Sequence, residues 1–214
     1  MEDSGEKTIR SELRCLYTNA NCLTNKLEEL KIRSKGYDIV AITETWADAN
    51  ITDAELHLPG FTSFRVDRSS SKGGGVILYI RSDLQASVSQ ELTDFRFSEC
   101  VWCTVKLNMG QLLLGVCYRS PSSSTSNNDT LLRLLDRATS VGSASHIMIM
   151  GDFNCPAIDY DGGFVHPGGG AFDTALFGRT SDLLLVQNVF DYTRIRSGNN
   201  PSKLDYVFTD EDDS

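Results

Sequence analysis

The sequence predicts an α/β fold in a single domain, and two stretches carry most of that prediction. Residues 13–18 and 37–43 are apolar and flank a segment of helical period, which is the pattern of a β-α-β unit whose strands are parallel and adjacent. Residues 146–150 form a short apolar run that stops at Gly151, as expected of a strand buried on both faces. With 214 residues, 40% of them hydrophobic, the chain is long enough for one sizeable core.

The other elements are predicted from periodicity and turn residues. The helix of the β-α-β unit is expected to begin at Asn25, with Glu28 completing a capping box, and to end at Gly36. In chain order we then predict a loop at 47–64, a Ser/Gly segment at 69–75, a strand at 76–80, a hairpin of strands 100–107 and 112–118, a loop at 122–128, a helix at 129–138, a loop at 156–170, a helix at 172–185 and a strand at 204–208.

Both ends of the chain are polar. We predict a polar tail over residues 1–10, one domain over residues 11–209 and an acidic tail over residues 210–214. The first fourteen residues hold no signal-peptide core, and no apolar run approaches the roughly 18 residues that cross a bilayer. We therefore expect an intracellular, monomeric protein without a membrane span, in the cytoplasm or the nucleus.

Charge and cysteine content narrow the classes of function. The net charge of −9 and the pI of about 4.8 argue against nucleic-acid binding by bulk charge alone. An acidic nuclease is still allowed, since a divalent metal can join an acidic site to a phosphate. Cys100 and Cys103 form a Cys-x-x-Cys pair, but their odd spacing in a predicted strand turns the thiols to opposite faces, so we expect reduced structural cysteines and not a zinc site.

The tetrapeptide at residues 151–154, Gly-Asp-Phe-Asn, follows the buried strand directly. If the extended conformation continues, its period of two places Asp152 and Asn154 on one side, facing a cleft, and Phe153 on the other side, in the core. The alternative is an ordinary Asx turn after a strand. The tetrapeptide alone favours the turn, because short motifs match by chance.

Other strand ends carry residues suited to metal-assisted phosphate hydrolysis. Glu44 supplies the carboxylate oxygen that a hard cation such as Mg²⁺ prefers, and Asp152 is a candidate base for an attacking water. Asn19 and Asn154 are neutral hydrogen-bond donors for a phosphate. The Tyr118 hydroxyl could stabilise the negative charge that develops on the phosphate during the reaction. Each residue has a structural explanation of its own, but their joint appearance at strand ends favours chemistry.

Basic side chains cluster around the Ser/Gly segment, at Arg65, Arg68, Lys72 and Arg81. A solvated loop and a loop that contacts phosphate both fit this pattern. The glycines at 73–75 are not followed by a helix, so they do not form a nucleotide-binding fingerprint.

Five motifs follow one another in a fixed order from about residue 11 to residue 209. They are Tyr17-Thr18-Asn19-Ala20-Asn21, Ile42-Thr43-Glu44-Thr45-Trp46, Tyr118-Arg119-Ser120-Pro121, Gly151-Asp152-Phe153-Asn154 and Leu204-Asp205-Tyr206-Val207-Phe208. In this order they make the chain resemble the endonuclease/exonuclease/phosphatase superfamily, which has the deoxyribonuclease I-like fold. With Gly73-Gly74-Gly75-Val76, the motif at 118–121 is most similar to the apurinic-type endonuclease domains of LINE-class non-LTR retrotransposons.

The resemblance implies a four-layered α/β/β/α sandwich, in which two mixed β-sheets lie face to face with helices outside. It also implies a phosphodiesterase site dependent on Mg²⁺ or Mn²⁺, DNA as the substrate, and a reverse transcriptase domain in the full-length parent. By position, the metal residues would be Glu44, Asn19 and Asn21, the catalytic residues Asp152, Asn154, Tyr118, Asp205 and Asn19, and the DNA contacts Arg68, Lys72 and Arg119.

One departure from the family pattern follows Asp205. The family has a closing Ser-Asp-His segment that supplies a last strand and a catalytic histidine oriented by this aspartate, and the sequence up to Ser214 does not contain it. The three histidines, His57, His146 and His166, lie in other contexts, and we expect structural roles for them. We therefore expect a domain without its last strand, with an unpaired sheet edge and weak or absent activity.

Three functions remain open on the sequence. The first is a Mg²⁺-dependent DNA endonuclease that nicks one strand by water attack on a phosphodiester. The second is a phosphatase of the same superfamily that acts on a small phosphate or a lipid headgroup. The third is a catalytically inert remnant that survives as a fragment or a binding module.

Overall fold

Twelve strands and four helices make up the part of the chain that the computed structural model describes, namely residues 12–68, 72–93, 95, 97–108, 110–195, 198 and 200–210. The strands are β1 (Cys15–Asn19), β2 (Ile39–Thr43), β3 (Phe61–Val66), β4 (Val76–Arg81), β5 (Ala86–Val88), β6 (Cys100–Leu107), β7 (Gly110–Tyr118), β8 (His146–Asp152), β9 (Ile158–Asp159), β10 (Phe164–Val165), β11 (Val186–Gln187) and β12 (Asp205–Thr209). The helices are α1 (Leu27–Arg33), α2 (Gln90–Thr93), α3 (Thr125–Thr139) and α4 (Ala171–Asp182), and a 3₁₀ turn at Leu23–Asn25 precedes α1.

Two mixed sheets stack face to face between helices, which confirms the predicted sandwich. One sheet has the strand order β1-β2-β4-β3 and the other β11-β12-β8-β7-β6-β5, while β9 and β10 form a separate short hairpin. Strands β1 and β2 are parallel and adjacent, as the β-α-β pattern predicted. Within the described residues β1 pairs with β2 alone and so forms one edge of its sheet.

Apolar side chains fill three layers of core. Between the sheets, Leu78 of β4 packs in one cluster with Leu114 of β7. Outside the second sheet, Leu134 of α3 and Leu176 of α4 cover the strands, and Leu30 of α1 belongs to the cluster outside the first sheet. Strand β2 is therefore buried on both faces along its whole length, which explains its unbroken apolar sequence.

The registers of the central strands bring polar residues to one end of the sandwich. Asn19 lies opposite Thr43, so Asn19 and Glu44 leave their strands side by side. In the other sheet Asp152 lies opposite Tyr118 of β7 on one side and opposite Asp205 of β12 on the other. Four of the predicted site residues are thus placed by strand pairing alone, and Glu44 by the strand that it follows.

Two predicted boundaries in the first half of the chain are wrong. Helix α1 begins at Leu27 and not at Asn25, because the Asn25 amide donates to the Cys22 sulfur (3.3 Å) and does not cap a helix. Glu28 bonds to Lys31 and makes no capping box. Strand β3 covers the end of the loop predicted over residues 47–64.

The second half contains more regular structure than predicted. Helix α3 begins inside the loop predicted over residues 122–128, because the Ser124 hydroxyl accepts a hydrogen bond from the Asn127 N–H (3.2 Å) and caps it. The loop predicted over residues 156–170 contains the β9–β10 hairpin. The predicted 100–118 hairpin is confirmed as β6 and β7.

Cys100 and Cys103 lie on opposite faces of β6, as predicted, and all six cysteines are free thiols. No helix in the described ranges is both long and apolar enough to cross a membrane. The predicted tails lie outside the described residues except for Asp210, whose carboxylate accepts a hydrogen bond from the Ile147 N–H (2.9 Å).

Candidate active site

A cleft of about 370 Å³ opens at the end of the sandwich where β1, β2, β7 and β8 finish. All seven residues predicted to be catalytic or metal-binding line it, although they come from five separate stretches of the chain. The complete lining is Asn19, Asn21, Glu44, Tyr118, Pro121, Asp152, Asn154, Thr193, Arg194, Leu204 and Asp205.

Asp152 lies at the centre of this cleft and is 5% exposed. Its Oδ2 accepts a hydrogen bond from the Asn19 amide (3.0 Å), and its Oδ1 accepts one from the Asn154 N–H (3.0 Å). Burial, and next the charge of Asp205, raise the pKa of Asp152 to about 7 against those two hydrogen bonds, which lower it. A carboxylate that titrates near neutrality can take up and release a proton during a reaction.

The chain around Asp152 is locked in place by close packing. Gly151 brings β8 against β7 so tightly that a Cβ at this position would overlap the Cys117 carbonyl oxygen. Phe153 is fully buried, as predicted, and its ring meets Phe208 edge to face at 5.4 Å. Asp152 is therefore held between two core anchors, and its rotation is restricted.

Arg119 is part of this scaffold and not a surface contact, which corrects its prediction as a DNA-binding residue. It is 8% exposed, and its guanidinium donates to the carbonyl oxygens of Phe153 (3.2 Å) and Asn154 (3.3 Å). The same group bonds to Asn128 Oδ1 (2.8 Å) and lies 4.2 Å from the centre of the Phe172 ring. The Asn154 amide donates in return to the Arg119 carbonyl (2.9 Å), so this arginine shapes the loop.

Asp205 has a partner that the sequence did not reveal. The hydroxyl of Tyr17 donates to Asp205 Oδ1 (2.7 Å), and Thr193 contributes a further hydrogen bond. Burial raises the pKa of Asp205 in spite of these two bonds, and burial together with the Asp205 charge raises that of Tyr17. None of the chain's three histidines lines the cleft, so the imidazole that Asp205 was expected to orient is absent from it.

Glu44 is held from two directions. Its Oε2 accepts hydrogen bonds from the Trp46 indole N–H (2.5 Å) and from the Gly74 N–H (3.1 Å). Tyr118 faces it across the cleft: burial, and then a hydrogen bond to Glu44, raise the pKa of the Tyr118 phenol. The phenol therefore stays protonated at neutral pH and remains a hydrogen-bond donor.

Backbone strain is concentrated at the same end of the sandwich. Six non-glycine residues in the described part of the chain have a positive φ, and all but Leu184 lie at or beside the cleft. Such conformations cost free energy and persist only where the surroundings enforce them, and they collect at functional sites. The five are Asn21, Cys22, Glu44, Trp46 and Asn154.

The donor set of the cleft suits a hard divalent cation. Three carboxylates and three amide side chains supply oxygen ligands, and no thiol or imidazole is present in the lining. Within the described ranges no three His, Cys, Asp or Glu side chains are grouped closely enough to hold a metal by themselves. A cation here would therefore depend on Glu44 with amide oxygens of Asn19 or Asn21. It would also offset the Asp205 charge, which together with burial raises the pKa of Asp152.

Of the other predicted DNA contacts, Lys72 and Arg68 behave differently. Lys72 is exposed, and its ammonium lies 5.2 Å from the centre of the Trp46 ring, next to Glu44. Arg68 is turned inward into an ion pair with Glu99, which corrects its prediction as a DNA contact. Arg194, an exposed side chain in the cleft lining, was not predicted, because it falls in a stretch without periodicity or a motif.

A sandwich of two mixed sheets with an acidic, oxygen-lined cleft at its end is the architecture of a family whose members are hydrolases that act on phosphate esters. The model of the Endonuclease/Exonuclease/phosphatase family matches residues 16–213, and the chain belongs to this family. Enzymes of the family generally depend on a divalent metal. Comparison with curated protein sequences finds no match.

Solved structures with low sequence identity share the fold. The endonuclease domain of TRAS1, a telomere-specific non-LTR retrotransposon, is 19% identical with a TM-score of 0.63, over 92% of this chain and 84% of that one. The AP endonuclease LMAP from Leishmania major is 15% identical with a TM-score of 0.67, over 92% and 78%. The 3′ phosphatase NExo from Neisseria, bound to a product DNA hairpin, is 16% identical with a TM-score of 0.64, over 92% and 86%.

Proposed function

We propose that this chain is the endonuclease domain of a retrotransposon and hydrolyses phosphodiester bonds in DNA with the help of Mg²⁺ or Mn²⁺. The observation that carries the proposal is the convergence of Asp152, with its pKa near 7, on Glu44, Tyr118 and Asn154 in one cleft. A base that titrates near neutrality beside oxygen ligands and neutral donors is what metal-assisted hydrolysis requires.

Each group has a role that follows from its contacts. Glu44 and the amide oxygens of Asn19 and Asn21 would hold the metal, which when bound supplies positive charge to the phosphate and the leaving oxygen. Asp152, free of any basic partner among the described residues, accepts a proton from the attacking water. Tyr118 and Asn154 donate hydrogen bonds to the phosphate oxygens, since the phenol stays protonated.

DNA is the favoured substrate for two reasons. Lys72 and Arg194 are exposed cations beside an otherwise acidic cleft, where they can contact phosphates on either side of the scissile bond. The similar NExo structure is of a protein bound to DNA, and the similar TRAS1 domain is an endonuclease of a retrotransposon. We propose further that a reverse transcriptase belongs to the full-length parent, and that the 214-residue chain alone acts weakly because no histidine lines the cleft.

A plasmid-nicking assay tests this function. Supercoiled plasmid with Mg²⁺ should be converted to open circles, and Glu44→Gln or Asp152→Asn should slow the conversion by about 100-fold or more. Glu28→Gln, which alters an exposed carboxylate on α1, should leave the rate unchanged.

The other outcomes separate the alternatives. Phosphate release from a 3′-phosphorylated oligonucleotide or a soluble headgroup phosphate, without nicking, would identify a phosphatase of the same family. Turnover that survives both cleft substitutions would refute the site. No turnover on any of these substrates would indicate an inert remnant or a binding module.

A further inference from the structure

Glu99 is a buried carboxylate outside the cleft lining, and it lies directly before β6. Glu99 is 4% exposed, and the hydrogen bonds that its carboxylate accepts are charge-assisted. Its Oε2 accepts from Arg68 Nε (3.1 Å) and Nη2 (2.5 Å), and its Oε1 accepts from the Gly75 N–H (2.6 Å). Both oxygens are thus committed to fixed partners, one of them a guanidinium fork.

The partner on Oε1 belongs to the loop that holds Glu44. Gly74 donates its N–H to Glu44 Oε2, and its carbonyl accepts the Trp46 N–H (2.9 Å). Gly74 has a φ of +70°, and a Cβ there would collide with Glu99 Oε1 and with the Arg68 guanidinium. The loop at Gly74 and Gly75 therefore packs directly against the ion pair of Arg68 and Glu99.

The partner on Oε2 connects to the phosphate side of the cleft. The Arg68 guanidinium lies 5.5 Å from the centre of the Tyr118 ring, and the Glu99 carbonyl accepts the Tyr118 N–H (2.9 Å). A ring that is stacked by a clamped guanidinium loses rotational freedom. Arg68 thus packs on the ring of Tyr118, while the Tyr118 hydroxyl bonds to Glu44.

We propose that Glu99 is a positioning residue that sets the geometry of Glu44 through the Gly74–Gly75 loop and that of Tyr118 through Arg68. The inference rests on the proposed function, since it assigns Glu99 to the metal and phosphate groups of the same cleft. It also gives Arg68 a role in place of the DNA contact that the sequence predicted.

The chain supplies a matched control for this idea. Asp38 is also a buried carboxylate, 1% exposed, and its partners include an arginine, Arg81, and the backbone N–H of Arg14 (2.8 Å). It lies at the other end of β2, far from the cleft. Asp38→Asn and Glu99→Gln therefore remove the same chemistry at opposite ends of the sandwich, Asp38 next to one sheet and Glu99 next to the other.

The experiment measures Mn²⁺ affinity by electron paramagnetic resonance of the free ion, with thermal unfolding and nicking kinetics on the same proteins. Substituting a residue that orients a metal ligand costs about 10- to 100-fold in metal affinity or activity. Glu99→Gln should weaken Mn²⁺ binding about tenfold and lower kcat by a similar factor, whereas Asp38→Asn should lower Tm comparably and leave the Mn²⁺ affinity within about twofold.

A second variant separates the effect of Glu99 on Tyr118, through Arg68, from its effect on Glu44, through the Gly74–Gly75 loop. Arg68→Lys keeps a positive charge on Glu99 but loses the fork and the stacking on Tyr118. Because the Gly74 loop also touches the guanidinium, the Mn²⁺ affinity should fall, but by less than kcat, which should fall severalfold with little change in KM. Equal effects of Arg68→Lys on Mn²⁺ affinity and kcat would contradict the separate effect through Tyr118.

The outcomes for this inference and for the proposed function can be told apart. A wild-type chain that nicks DNA, with Glu99→Gln no different from Asp38→Asn in Mn²⁺ affinity and kcat, overturns the positioning role and leaves the function standing. A wild-type chain that does not nick but binds Mn²⁺ less tightly after Glu99→Gln refutes the function and supports the positioning role. Absence of Mn²⁺ binding by the wild type overturns the positioning role.

Discussion

Asp38 at one end of the sandwich and Asp152 at the other end are buried carboxylates, and Asp205 beside Asp152 is half-buried, but their hydrogen-bond partners differ. Asp38 is bonded to Arg81, so its charge is compensated. Asp152 and Asp205 lie opposite each other on paired strands, and among the described residues their carboxylates accept hydrogen bonds from amides, hydroxyls and backbone N–H groups. Burial raises the pKa values of both.

The difference shows which end of the sandwich carries features that lower the free energy of unfolding. The counter-charge of Arg81 offsets the cost of burying Asp38, whereas Asp152 and Asp205 have no such counter-charge among the described residues, and raised pKa values of this kind are frequent at functional sites. The five strained backbone positions lie at the second end as well. Carboxylates without a counter-charge and strained backbone together indicate that the candidate functional site lies at that end.

The largest effect is expected from the pH dependence of stability in the metal-free protein. The pKa of Asp152 is about 7 in the folded state and about 4 in the unfolded state, so the folded state holds more protons between these values. The free energy of unfolding should therefore fall as the pH rises from about 4 to about 7, by a few kcal/mol from this group.

Urea unfolding in EDTA at several pH values measures this slope. Asp152→Asn removes the titrating group, so it should flatten the slope and make the protein more stable than the wild type at pH 8. An unchanged slope in Asp152→Asn would show that its environment is as well compensated as that of Asp38.

A smaller effect is expected at the compensated end. Asp38→Asn leaves Arg81 without its buried partner and weakens the bond to the Arg14 N–H. The free energy of unfolding should fall by about 2 kcal/mol, since the arginine is partly exposed and regains water. Chemical denaturation at pH 7 measures this loss. Stabilisation by the substitution would mean that desolvation of the pair outweighs its attraction.

The smallest effect concerns surface charge at the two ends. Lys72 is exposed beside the cleft, and Lys106 is exposed at the opposite end, near Thr62 and Ser82. Lys72→Gln should weaken binding to a short DNA duplex about threefold and reduce the salt dependence of binding by about one unit. Lys106→Gln should change neither quantity in a fluorescence-anisotropy titration, and equal losses in both variants would indicate binding by overall charge.

The main residues of the cleft could be predicted from the sequence because they lie at or next to the ends of strands. Asn19, Glu44, Tyr118, Asp152 and Asp205 each lie at a strand end, so the order of the strands is enough to bring them together. The residues that were missed act through contacts distant in sequence. Tyr17 bonds to Asp205 across 188 positions, and no local pattern encodes such a pair.

Partners, unlike positions, could not be predicted from residue type. Arg68 and Arg119 carry the charge expected of a DNA contact, but Glu99 and two carbonyl oxygens satisfy them inside the protein. The short elements β5, α2 and β11 escaped prediction because two to four residues are too few to show a period. Helix α3 was predicted too short because its first turn is made of Ser, Thr and Asn, which read as loop unless the cap at Ser124 is recognised.

Gly74 and Gly151 each lie where a single methyl group would collide with a neighbour, the Glu99 carboxylate in one case and the Cys117 carbonyl in the other. A variant could therefore keep every polar residue of the cleft and still lose the geometry of the cleft through one Gly→Ala substitution. When relatives of this chain are compared, these two glycines should be read beside the acidic residues, because a substitution at either position leaves the polar motifs of the cleft untouched.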